Sequence, residues 1–198
     1  MTENPWALKR RKTLQPEEVQ KILRAAESIN LRDYTILMLI ANLGLRVGEA
    51  VNLKYSDFDA ERNTVRVFTL KQGEETIDEL FVHTDIFALV TKFAEDEKCG
   101  KGLLFTGAGG SALSTRAVQK IYDRCAVLAG VETKTNKKGQ RGRGVHSLRH
   151  FCAAQYVSAG ADRATVAARM RHRSMKSTEA YFDTFNEQEW VKKIGIVK

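Results

Sequence analysis

One stretch limits what this chain can become: residues 63–82, NTVRVFTLKQGEETIDELFV, are the only convincing hairpin in it. NTVRVFTL alternates as a strand does, KQGEE turns the chain, and TIDELFV returns it. The other periodic segments are helical. Over 16–27, Pro16 stands at a first helical position before two acids, and Val19, Ile22, Leu23 and Ala26 form an apolar stripe. A helix over 31–43 should end at Gly44, a natural left-handed cap. Further helices are predicted over 47–53, 84–97, 114–129 (closed by Gly130), 146–159, 162–170 and 177–185. The expected class is therefore mostly α with a small antiparallel β-sheet (α+β), without an internal repeat.

Charge narrows the partner. The 198 residues carry 32 Lys+Arg against 24 Asp+Glu, a net charge of +8, and such a balance favours a polyanion, usually nucleic acid. Cys99, Cys125 and Cys152 are an odd set with no CxxC spacing, and Cys125 and Cys152 fall among apolar helical positions. They read as small buried residues of a reducing compartment, not as zinc ligands. MTENPWALKRRK lacks the apolar core of a leader, and no run of about 18 apolar residues could span a bilayer. A cytoplasmic protein is expected. CGKGLLF and TGAGGSAL hold glycines but match neither phosphate-loop nor dinucleotide patterns, so they read as turns.

Within HSLRH, His146, Arg149 and His150 stand at i, i+3 and i+4 and share one helical face, directly after the cationic loop KTNKKGQRGRG. Imidazole and guanidinium together suit an anion whose chemistry needs a proton moved, although a solvated polar face would look the same. Three other features recur around it. Arg46 follows the Gly44 break with Glu49 three residues on, Lys71 begins the hairpin turn, and His172 precedes Tyr181 by nine residues. Taken singly, these read as a surface ion pair, a solvated turn lysine and a core aromatic.

Their order is more specific than any one of them. GLRVGEAVNL, the hairpin lysine, VHSLRHFCAAQYVSAGAD and HRSMKSTEAY resemble, in register, the catalytic signature of the tyrosine recombinase (phage integrase) family. The resemblance covers residues 14–185 and implies that family's catalytic-domain fold. It implies Tyr181 as nucleophile toward a DNA phosphodiester, leaving a 3′-phosphotyrosine. Arg46 and Arg149 would clamp the non-bridging oxygens, and Lys71 would protonate the departing 5′-oxygen. His146 would assist proton transfer from Tyr181, and His172 would hydrogen-bond the phosphate. Glu49 and His150 would support from behind. Neither metal nor ATP is expected, because the covalent link stores the bond energy. Candidate DNA contacts are Lys137, Lys138, Arg141, Arg143 and Arg171.

Double-stranded DNA is the implied partner, with a homo-tetramer on DNA, a monomer when free, and no membrane. A type IB topoisomerase-like relaxer shares this chemistry, and a non-catalytic DNA-binding regulator would share only the fold. The pattern departs from the family's at Arg171, where glycine usually precedes the histidine, and at Lys71, where the turn reads as longer than usual. Residues 1–12 read as a basic arm or linker, 13–185 as the catalytic domain and 186–198 as a tail. Relatives carry a separate N-terminal clamp domain, so the chain is read either as a naturally short recombinase or as a catalytic fragment. Trp190, Ile194 and Ile196 in the tail would dock on a neighbouring protomer or fold back.

Overall fold

The computed structural model describes residues 13–71, 74–99, 102–133 and 143–172. Helix α1 (Pro16–Glu27) begins where the Gln15 N–H donates to Glu18 Oε2 at 2.8 Å. Its stripe of Val19, Ile22, Leu23 and Ala26 is buried. Helix α2 (Leu31–Leu43) is started by Asn30, whose side-chain oxygen accepts from the Asp33 N–H at 2.8 Å. It is buried at nine of its thirteen positions, because α1 packs on one side of it and the later helices on the others. Gly44 ends it at φ +62°, a backbone that only glycine adopts without cost. A Cβ there would lie 2.7 Å from Met170 Cε and 3.2 Å from Cys152 Sγ, so bare backbone is also what lets three segments meet.

Helix α3 (Val47–Val51) follows at once and is shorter than the 47–53 expected. A short strand β1 (Phe58–Asp59) then pairs with β2 (Thr64–Lys71), which pairs with β3 (Glu74–Phe81), giving one antiparallel sheet in the order β1-β2-β3. β1 was not foreseen, because two residues carry no periodicity. The hairpin turn is also tighter than expected: Lys71 still pairs with Glu74, leaving only residues 72 and 73 between the strands. Val65 and Val67 are fully buried, while Phe68 and Ile77, opposite each other on the other face, are exposed.

Helices α4 (Thr84–Asp96), α5 (Thr115–Leu128), α6 (His146–Ser158) and α7 (Arg163–Arg169) complete the described fold. Ser114 caps α5 and Asp162 caps α7, each by accepting a backbone N–H three residues on. The core runs continuously from α1 through α2 to α5 and α6. Phe93 and Phe105 stack in it at 5.4 Å, and the Tyr122 hydroxyl meets Ser147 Oγ at 3.0 Å. Cys125 and Cys152 are buried and free, as their apolar neighbours implied. Among the described residues no helix is long and apolar enough to cross a membrane. The expected helix over 177–185 lies outside the described residues.

Candidate active site

Three backbone turns converge: the break after α2, the first turn of α3 and the end of α7. Glu49 sits at their centre. Its Oε2 accepts the Arg46 N–H at 2.7 Å, closing the first turn of α3, and its Oε1 takes Arg46 NH1 at 2.6 Å. Thr69 Oγ1, from β2, donates to the same Oε1 at 3.0 Å. Arg171 NH2 reaches Oε2 at 2.7 Å, and Arg149 NH1 stands 3.9 Å from it. Burial pushes the Glu49 carboxyl up, but the charge of Arg171 and the bonds from Arg171 and Arg46 outweigh it and hold the group ionised below its usual range.

Arg149 is buried, and its guanidinium donates to the carbonyls of Gly44 and Met170. The sequence put it on one face with His146 and His150; in the fold it turns inward while both histidines stay exposed. The reason is packing: α6 lies against α2, and the uncovered carbonyl at the Gly44 break offers Arg149 an acceptor. Arg46 keeps about a third of its side chain in solvent, and its NH2 donates to the Arg171 carbonyl at 3.2 Å.

Among the described residues, three guanidiniums thus stand around one carboxylate. Both histidines respond. Although His146 keeps contact with solvent, partial desolvation beside the cluster lowers its pKa, and Arg149 and Arg46 lower it further. His172 is pushed down to about 4, by burial first and then by Arg149, Arg46, Arg171 and His150. Each is therefore neutral at pH 7, able to accept one proton and donate another. Arg46, Glu49, Thr69 and His146 line a cleft of about 800 Å³.

The structure places two of the candidate DNA contacts in ion pairs with carboxylates. Arg171 is buried, with its NH2 donating to Glu49 and to the Gly44 carbonyl. Arg143 donates from NH1 to both oxygens of Glu18 at 2.8 Å and from Nε to the Glu132 carbonyl, which ties the end of the basic loop to α1. Lys71 ends β2, and its side chain lies outside the described residues, as do Lys137, Lys138, Arg141 and Tyr181. Two cleft residues went unnoticed in the sequence. Thr69 shares a strand face with Val65 and Val67, so alternation could have revealed it. Lys54, exposed on the cleft, carried no such signal.

Comparison with known proteins places the family and the fold. The model described as the phage integrase family matches residues 12–188. The type 1 fimbriae regulatory protein FimE of Escherichia coli (strain K12) is 26% identical over 181 residues, covering 88% of this chain and 86% of FimE. The tyrosine recombinase XerC of Corynebacterium glutamicum is 32% identical over 165 residues, covering 80% of this chain but 48% of XerC. The fold is that of the XerA recombinase, with a TM-score of 0.74 and 22% identity over 91% of this chain and 61% of that one. It also matches XerH bound to its difH substrate before cleavage, at a TM-score of 0.70 and 25% identity over 92% of this chain and 53% of XerH. The chain thus spans about half the length of XerC and XerH.

Proposed function

The chain belongs to the phage integrase family, and from that premise we propose that it cleaves and rejoins double-stranded DNA through a 3′-phosphotyrosine on Tyr181. The observation that carries the reading is the set of three guanidiniums around Glu49, opening on a cleft beside a neutral imidazole.

A phosphodiester entering there brings negative charge to these guanidiniums. As the tyrosine oxygen attacks, negative charge grows on the two non-bridging oxygens, and Arg46 and Arg149 meet it with fixed forks. A tyrosine hydroxyl has a pKa of about 10, so it needs a base within reach. His146 is suited to that, because the neighbouring guanidiniums keep its acceptor nitrogen unprotonated at neutral pH. The new bond joins the tyrosine oxygen to phosphorus, and the phosphorus–O5′ bond breaks. Lys71 at the end of β2 supplies the proton that O5′ needs as it leaves. His172, also neutral, donates one hydrogen bond to the phosphate. One phosphate diester replaces another, so the step is nearly isoenergetic, and a 5′-hydroxyl from a second strand reverses it. Four copies holding two DNA sites would make that reversal an exchange.

The test is covalent trapping. The chain is incubated with a nicked suicide duplex carrying sites from the DNA flanking its own coding sequence, and an SDS-resistant shift is sought. The expected shift is lost in Tyr181→Phe while DNA binding is kept. Binding without any adduct from the native chain would overturn the catalytic reading and favour a DNA-binding regulator.

A further inference from the structure

The residue before His172 is out of place on local grounds. Helix α7 ends with the Arg171 N–H bonded to the Ala168 carbonyl and the His172 N–H to the Ala167 carbonyl, both at 2.9 Å. This closing pattern requires a left-handed residue between them, usually glycine. Here that residue is Arg171, at φ +51°, a conformation that costs a residue with a side chain more than it costs glycine. Its side chain is 3% exposed, which adds the cost of burying a guanidinium. Stability alone would be better served by glycine. Something else keeps an arginine here.

Its bonds indicate what that is. NH2 donates to Glu49 Oε2 at 2.7 Å and to the Gly44 carbonyl at 3.0 Å, and NH1 donates to the Arg169 carbonyl at 2.9 Å. In return, the Arg171 carbonyl accepts from Arg46 NH2 at 3.2 Å. One residue therefore clasps the α3 turn with its side chain and holds the Arg46 guanidinium with its main chain, and the next residue along is His172.

We infer that Arg171 is a positioning residue that locks the His172 turn onto the Arg46 turn, so that the two groups address one phosphate. The inference rests on the recombinase reading above and deepens it. Arg171 itself is buried. It acts through the spacing of Arg46, Glu49 and His172, and a misplacement of about 1 Å in such a set can cost about 100-fold in rate.

The test uses the full chain with Arg171→Gly and Arg171→Lys. Glycine suits the left-handed turn, so Arg171→Gly should fold. Its adduct rate at saturating suicide DNA should fall by about 10- to 100-fold, with DNA affinity kept within about threefold. Arg171→Lys should recover part of the rate, because its ammonium reaches Glu49 but cannot fork to both turns. A readout independent of activity is the titration of His172 followed by NMR. It should move up from about 4 in Arg171→Gly, as the ring loses one of the cations facing it (Arg149, Arg46 and His150 remain), and stay near the native value in Arg171→Lys.

An Arg171→Gly rate equal to native, or an unmoved His172, would overturn the inference. So would a loss of affinity in step with rate together with a salt slope shallower by about one, the mark of a direct phosphate contact. If both variants fail to fold, Arg171 serves stability and the inference falls. If the native chain forms no adduct while His172 shifts as expected, the clasp stands and the recombinase reading is what fails.

Discussion

Two buried carboxylates in this fold look alike locally and differ in consequence. Asp33 and Glu49 each occupy the third position of a helix, where the N-terminal dipole favours a negative charge. Each is almost fully buried, and each accepts from arginines. Asp33 takes the Arg32 Nε and NH2 at 3.2 and 3.1 Å, and it takes Arg124 NH2 as well. There the resemblance ends. The side chains of Arg32 and Arg124 are 36% and 51% exposed, so water shares their charge. Around Glu49 the side chains of Arg171 and Arg149 are 3% and 7% exposed, and Arg46 adds a third cation. One site is a hydrated brace. The other holds two of its three guanidiniums away from water, where their charge is less screened.

The sharpest way to separate them is to remove one arginine from each. Arg149→Ala should lower the rate of covalent DNA attachment by about 10²–10³-fold, the usual cost of losing a fixed donor to transition-state charge. Arg124→Ala should leave that rate within about threefold, because its guanidinium faces solvent on the Asp33 brace. Suicide-substrate kinetics on both variants decide it. Equal losses would mean that Glu49 and Asp33 are two braces and that less-screened charge is not the principle of the site.

Removing the carboxylates comes next. Glu49→Ala strands buried guanidiniums and should cost about 3–5 kcal/mol of stability. Asp33→Ala leaves partners that can turn to water, so about 1–2 kcal/mol is expected, mostly from lost hydrogen bonds. Denaturant melts of the two variants give the difference directly. If they are equal, the burial contrast has no energetic meaning.

This contrast marks how far the sequence could be read. The order of the motifs led to the expectation that Arg46, His146, Arg149 and His172 serve one site, and Gly44 was legible because a helix ended there. The long helices were legible from their periodicity. What the sequence hid were contacts between segments far apart along the chain. Arg171 and Glu49 are separated by 122 positions, and nothing local says that a cation beside a histidine will turn inward. The partner of Arg143 was hidden for the same reason: it sits in a basic run, yet it pairs with Glu18 on α1, 125 positions away. Nothing local marks Asp33 as the centre of a buried brace, because one of its partners, Arg124, is 91 positions away. Strand β1 and the tight hairpin turn are set by pairing rather than by pattern, so alternation could not bound them.

Acid should tell the two sites apart through the histidines. His172 has a folded pKa of about 4 against an ordinary 6.5, so between those values the unfolded chain binds more protons than the folded one. Stability attributable to His172 is therefore complete above about pH 6.5, is lost as the pH falls toward 4, and changes no further below that. His146 is depressed in the same direction and adds to the loss. No histidine belongs to the Asp33 brace. Replacing His172 with Gln should flatten the stability profile across that window, which pH-dependent melts will show. Adding DNA should move the His172 titration upward, because a bound phosphate offsets the guanidiniums that depress it. A titration unchanged by DNA would place the phosphate away from this cluster.

The smallest effect concerns cations outside the cluster, where exposure rather than sequence context should predict DNA contact. Lys54 is exposed on the cleft wall, whereas the Arg143 side chain is 15% exposed and engaged by Glu18. Each phosphate contact releases counterions, so losing one shifts the slope of log affinity against log salt by about one. Lys54→Ala should therefore flatten that slope by about one and weaken binding a few-fold at low salt. Arg143→Ala should leave the slope unchanged and instead lower the melting temperature, because it removes a partly buried ion pair between α1 and the approach to α6. A flattened slope in Arg143→Ala would mean that the Glu18 pair opens when DNA arrives. Arg143 would then be a contact after all, and its pairing with Glu18 a feature of the DNA-free chain alone.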